Sequence, residues 1–138
     1  MKMKDQVTSI EQSKRLIEIG VPAEKASMVW VPDYKFDSNT REFISTGSYE
    51  ICPKHRVFDV VKEDVIPAFT VADLLGIIKS INVFGNPIIE KIGDARWRFE
   101  FGAITGELEY GFNECQNIVE LLVGRIEWMV SNGYELNI

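Results

Sequence analysis

The chain has little of what chemistry usually requires. Its 138 residues contain one histidine, His55, and two cysteines, Cys52 and Cys115. Two cysteines make no disulfide framework, and a reduced thiol pair in a cytoplasmic setting is the expectation. No Gly-Lys-Ser, Gly-Lys-Thr or Gly-x-Gly-x-x-Gly occurs, so Gly102, Gly106 and Gly111 build no phosphate loop and read as loop and strand-end positions. A serine-centred nucleophile elbow is missing too. Apolar runs reach roughly six residues, far short of a membrane span. Met1-Lys2-Met3-Lys4 has no apolar core behind its lysines, so no secretory signal is expected and the first few residues are expected to be disordered. There is no repeat and no low-complexity tract.

What remains is the composition of one ordinary domain spanning residues 1–138, with 46% hydrophobic and 26% charged residues. Its net charge is −6, unevenly placed. Residues 1–99 balance fourteen acids with fourteen bases, whereas residues 100–138 hold seven acids against Arg125 alone. An acidic C-terminal third opposes phosphate backbones, so nucleic acid is not an expected partner. It serves solubility, or forms a docking face for a basic protein.

Three helix starts punctuate the chain. Thr8-Ser9-Ile10-Glu11, Thr70-Val71-Ala72-Asp73 and Asn113-Glu114-Cys115-Gln116 each set a capping side chain three residues before an acid or amide that can reach back. The first predicts a helix over Ser9–Ile19, capped by Thr8 with Glu11 as partner and stopped by Gly20, with a further short turn opened by Pro22. The second predicts a largely buried helix with Phe69 and Leu74 as a hydrophobic staple. The third predicts a helix from Asn113 to Ser131, halted by Asn132-Gly133, with Ile118, Leu121, Leu122, Arg125, Ile126 and Met129 on one stripe.

Strands fill the intervals. Met28–Val31 reads as a strand that Pro32 ends or confines to an edge. Asp37-Ser38-Asn39-Thr40 is a turn by composition, and Arg41–Thr46 returns as the second strand of a hairpin. Gly47–Val65 fits no single period, and strand pairing within residues 28–65 stays open. Ile88–Ile92 is a strand turned by Gly93-Asp94-Ala95. Arg96–Phe101 and Glu107–Phe112 alternate strictly, and a loop over Gly102–Thr105 would set Trp97 opposite Tyr110 and Arg98 opposite Glu109. The fold class is α+β: an antiparallel sheet, made of a C-terminal three-strand meander plus the N-terminal hairpin, with about three helices on one face.

Chemistry has two thin footholds. Cys52-Pro53-Lys54-His55 has the spacing of two metal ligands, and Asp59 could join them, but a zinc site draws on about four ligands and no second pair exists. A Cys52–His55 nucleophile pair is conceivable, since histidine can take a thiol's proton, yet no third orienting group is recognisable. Cys115, at the start of the third helix, reads as a small buried apolar group. Glu107 and Glu109 share a strand face and read as solvated acids rather than a glycosidase pair. No catalytic, cofactor-binding or metal residue is assigned. The aromatics Trp30, Tyr34, Phe36 and Phe43 cluster on the hairpin, where they pack a core or present a protein-binding patch.

Val7–Leu16, Ile66–Leu75 and Asn132-Gly133-Tyr134 resemble stretches of a group of small, uncharacterised proteins encoded in prophages and other mobile elements of gut bacteria. The resemblance implies a bacterial or phage cytoplasmic protein and transfers no site residue. The expected function is that of a non-enzymatic accessory protein that binds another protein, with a small enzyme or metal site at Cys52 and His55 as the alternative.

Overall fold

The computed structural model describes residues 5–56, 64–78, 87–93, 96–101, 114–115 and 117–138. In chain order these form α1 (Ile10–Glu18), a 3-10 turn (Ala23–Lys25), β1 (Met28–Asp37), β2 (Glu42–Pro53), a second 3-10 turn (Lys54–Arg56), β3 (Ile66–Ala68), α2 (Val71–Ile77), β4 (Pro87–Ile92), β5 (Arg96–Phe101), β6 (Glu114–Cys115) and α3 (Ile118–Ser131). The class is α+β, as the sequence implies. The strands do not join into one sheet, however. Among the described residues they make two antiparallel sheets, ordered β2-β1-β3 and β4-β5-β6.

The first helix is capped by Ser9, not Thr8. The Ser9 hydroxyl accepts the Gln12 N–H at 3.1 Å, and the Gln12 side chain accepts the Ser9 N–H at 2.9 Å. Thr8-Ser9-Ile10-Glu11-Gln12 offers two capping boxes offset by one residue, and burial selects between them. Thr8 is wholly buried. Its hydroxyl accepts the Phe69 N–H at 2.9 Å and lies 2.7 Å from the Ser13 hydroxyl, while its own N–H donates to the Phe69 carbonyl. Thr8 therefore fastens the helix start to the end of β3, leaving the exposed Ser9 free to cap. Gly20, at φ +106°, ends the helix where a side chain would be strained.

This division of labour predicts a difference between neighbours. Thr8→Ala leaves the buried Phe69 amide without its acceptor and should cost about 1–3 kcal/mol. Ser9→Ala loses only a cap, about 1 kcal/mol. Urea unfolding of both variants checks the order, and Thr8→Ser should restore most of the larger loss.

The second helix has the expected box. Thr70 Oγ1 accepts the Asp73 N–H at 3.1 Å, and Asp73 accepts the Thr70 N–H at 2.9 Å. Asp73 also accepts the Ser27 N–H at 2.8 Å, tying α2 to the start of β1. Phe69 and Leu74 are both fully buried. The helix is nonetheless half-exposed rather than largely buried: Ala72, Leu75 and Gly76 face outward.

The third helix begins later than the sequence suggests. Glu114 and Cys115 are strand, paired with Arg98 and Trp97 of β5, and the cap is Asn117, whose side chain accepts from Val119 and Glu120 at 2.8 and 3.1 Å. The ladder with β5 takes the backbone that a helix from Asn113 would need. It also settles a register. Trp97 has Lys91 on one side and Cys115 on the other. Arg98 lies between Glu90, with which it forms an ion pair at 3.2 Å, and Glu114. Glu107–Phe112 and the loop before it lie outside the described residues.

The core gathers α3 with parts of α1, α2 and β5. Leu16, Phe69, Leu74, Ile77, Phe99, Leu121, Leu122, Ile126 and Met129 are almost completely buried in one cluster. Val119 and Val123 are buried as well, so α3 is covered on more than the single stripe its periodicity predicts. Part of the acidic third is used internally. Arg15 of α1 pairs with Glu127, lies 3.8 Å from Glu120, and Gln12 donates to Glu120. Among the described core residues, β1 contributes Val29 near its root and β2 contributes none.

Candidate functional site

β1 leaves the body of the protein at Met28, and β2 returns to it at Pro53. At the root, β1 is sandwiched between β2 and β3: Met28, Val29 and Trp30 face Pro53, Cys52 and Ile51 on one side and Ala68, Pro67 and Ile66 on the other. The Trp30 indole N–H donates to the Thr8 carbonyl at 2.9 Å. Among the described residues, β3 pairs with nothing beyond Trp30, and from Pro32 onward β1 pairs with β2 alone. Proline is tolerated where one ladder is missing, so β1 runs through Pro32 to Asp37 instead of ending there.

Beyond this point the two strands form a ribbon. Between the pairs Pro32–Tyr49 and Tyr34–Ser45, β1 uses one residue and β2 uses three, Thr46, Gly47 and Ser48. Gly47 at φ +81° makes this bulge possible, and the Thr46 hydroxyl donates to Asp33 at 3.2 Å across it. The first part of the unperiodic stretch, from Gly47 to Pro53, is thus strand with a bulge in it. The far end closes through Ser38–Arg41, with the Asp37 carboxylate accepting the Asn39 N–H at 2.9 Å and Arg41 in the left-handed region at φ 57°.

Paired residues share a face, so the register assigns each side chain to one side of the ribbon. Trp30, Pro32, Tyr34 and Phe36, with Ile51, Tyr49 and Phe43 across from them, make one face, and it carries no charge. The other face holds Asp33, Lys35, Asp37, Glu42 and Glu50. The uncharged face is covered at its root and bare at its tip. Pro32 is buried and Trp30 half-buried, whereas Phe36 is 52% exposed, Phe43 71% and Tyr49 39%. Phe36 and Phe43 lie edge to face, ring centroids 5.4 Å apart. Ile44, 49% exposed, adds apolar surface on the charged side and lines a shallow hollow with Lys35 and Thr46.

Of the four aromatics the sequence singles out, Trp30 is an anchor and Phe36 and Phe43 are displayed. Tyr34 is intermediate, and its hydroxyl donates to the Asp64 carboxylate at 2.8 Å. That hydrogen bond holds the Tyr34 phenol above its ordinary pKa. A raised value means that the bond's contribution is complete below the usual tyrosine range and is lost as pH climbs through the Tyr34 pKa. Asp64→Ala should lower the Tyr34 pKa toward the ordinary tyrosine value, as followed by tyrosinate absorbance against a Tyr34→Phe control. Tyr49 escapes the sequence reading because the expected second strand stops at Thr46 whereas β2 runs on to Pro53, and Ile44 because it lies on the face opposite the aromatic row.

The chemical candidates do not assemble. Cys52 is half-buried on β2 opposite Val29, and His55 is exposed in the turn that follows. No side-chain hydrogen bond links the two among the described residues, and no group of three or more histidine, cysteine, aspartate or glutamate residues there is placed to hold a metal ion. Asp59, Glu107 and Glu109 lie outside the described residues, as do Gly102, Gly106 and Gly111. The backbone of Cys115 is in β6, not at a helix start. No described helix is long and apolar enough to cross a membrane. No family model matches the chain, and no curated protein or solved structure matches it.

Proposed function

We propose that this is a non-enzymatic accessory protein that acts by binding another protein, and that the uncharged aromatic face of the β1–β2 ribbon is its contact surface. The observation that carries the reading is the exposed Phe36–Phe43 pair at the tip of a ribbon that has no buried residue from Asp33 to its turn or along β2. A pair of phenylalanines held in water contributes little to folding, whereas aromatic side chains on a preformed scaffold are what dominates binding energy at protein interfaces. The charge on the ribbon narrows the class of partner. Asp33, Asp37, Glu42 and Glu50 outnumber Lys35 and Arg41, which disfavours both phosphate backbones and anionic lipid surfaces. A prophage or mobile-element origin and a cytoplasmic location belong to the same proposal and rest on the resemblance of Val7–Leu16, Ile66–Leu75 and Asn132–Tyr134.

Affinity capture from cells that express the chain tests the reading. A protein retained by the intact chain should be lost from the double variant Phe36→Ser/Phe43→Ser, while the variant keeps the wild-type circular dichroism and melting temperature. Equal retention by both chains would remove the ribbon from consideration.

A further inference from the structure

We infer that the surface the ribbon engages is an apolar hollow rimmed by lysine and arginine, an inference that rests on the ribbon reading above. The two faces of the ribbon divide the labour. The aromatic face carries no charge, so it sets the apolar centre of the contact. The charged face lies directly behind it and is acidic on balance. Its closing pair sets Asp37 directly across from Glu42, and like charges opposed across a ladder repel. The turn uses Asp37, through its backbone and its carboxylate bond to Asn39, but it does not use the Glu42 side chain opposite. A cationic rim relieves the repulsion when the tip is seated and repels nothing but Lys35 and Arg41. An acidic rim would add to the repulsion, so the ribbon discriminates by sign as well as by shape.

A second copy of the chain fits less well. The outer edge of β2 has Glu42 and Glu50 toward its two ends, with Phe43 and Tyr49 just inside them. Antiparallel pairing of two such edges about Thr46 would set Glu42 against Glu50 twice, and the bulge at Thr46–Ser48 interrupts the ladder at its centre. Docking of the aromatic face into a basic-rimmed hollow meets neither obstacle.

The test uses the whole chain and two synthetic amphipathic helices as probes. Both present leucine along one face, and the remaining positions are lysine in one probe and glutamate in the other. Backbone NMR shifts are followed during titration at low salt. The expected result is that the lysine helix perturbs residues 33–50 and binds about tenfold more tightly than the glutamate helix, with the difference shrinking as salt is added. Asp37→Asn/Glu42→Gln should bring the two probes close to equal affinity. Phe36→Ser/Phe43→Ser, which keeps every charge, should abolish the shifts with either probe. Equal or tighter binding of the glutamate helix, shifts mapping outside residues 33–50, or lysine-helix binding that survives in the phenylalanine variant would each overturn the cationic partner. The ribbon reading fails separately, through equal capture by the intact chain and its Phe36→Ser/Phe43→Ser variant.

Discussion

Arg125→Ala should unfold the protein more readily than any single change on the ribbon, with a loss of about 3–5 kcal/mol. Arg125 sits on α3 with only 1% of its surface exposed and is the largest fully buried side chain. Its guanidinium stacks 4.9 Å from the centre of the Phe99 ring and 5.4 Å from that of Trp128. Stacking of this kind is worth about 0.5–2 kcal/mol when desolvated, but the greater part of the loss comes from the space left behind. Truncation to alanine removes most of a long side chain from beside Phe99, a member of the core cluster, and Trp128, which packs against it. Against a typical total of about 5–15 kcal/mol, that is a large fraction of the stability. Arg125→Met should lose less, because methionine refills much of the slot. Denaturant unfolding of both variants measures the difference. A loss below about 1 kcal/mol for the alanine variant would mean that Arg125 is not packed as described.

The second large effect is a contrast within a single row of aromatics. Trp30→Ala should cost about 3 kcal/mol, whereas Phe43→Ala should stay within about 0.5 kcal/mol of wild type. The two residues share one face of the same ribbon, yet their surroundings differ. Trp30 is half-buried at the root, flanked by β2 and β3, and its indole N–H reaches the Thr8 carbonyl. Its removal loosens the joint between α1 and the first sheet as well as opening a cavity. Phe43 is 71% exposed and has Phe36 as its ring neighbour. Comparable losses at both positions would mean that the ribbon folds as part of the core, and its tip would then have no claim to being a surface kept for binding.

Much of this architecture is legible in the sequence, and its failures have physical causes. The box at Thr70 and Asp73, the stop at Gly20, the alternation of Arg96–Phe101 and the turn at Gly93 all depend on neighbours in the chain, and all appear where expected. Errors arise where two local solutions compete and a distant contact decides. Ser9 caps α1 because Phe69 and Ser13 occupy the hydroxyl of Thr8. Asn117 caps α3 because β5 captures Glu114 and Cys115. The site is harder to read than the scaffold. Trp30, Tyr34, Phe36 and Phe43 stand out by composition, but alternation alone does not say that the root of their row is covered and its tip bare. That distinction follows from where β3 stops, at the partner of Trp30. Part of the acidic third is neutralised within the chain as well, because Arg15 approaches both Glu120 and Glu127, so charge counted along the chain overstates what that segment offers a partner.

The central claim is that the ribbon tip is the part of this molecule that meets another protein. Site-specific photocrosslinking tests it most directly. A photoreactive phenylalanine analogue is placed at position 43, and in a separate chain at the exposed Glu11 of α1, both expressed in the native cell. A discrete adduct formed from position 43 and absent from position 11 is the predicted result. No adduct from position 43, or the same adducts from both positions, would contradict it.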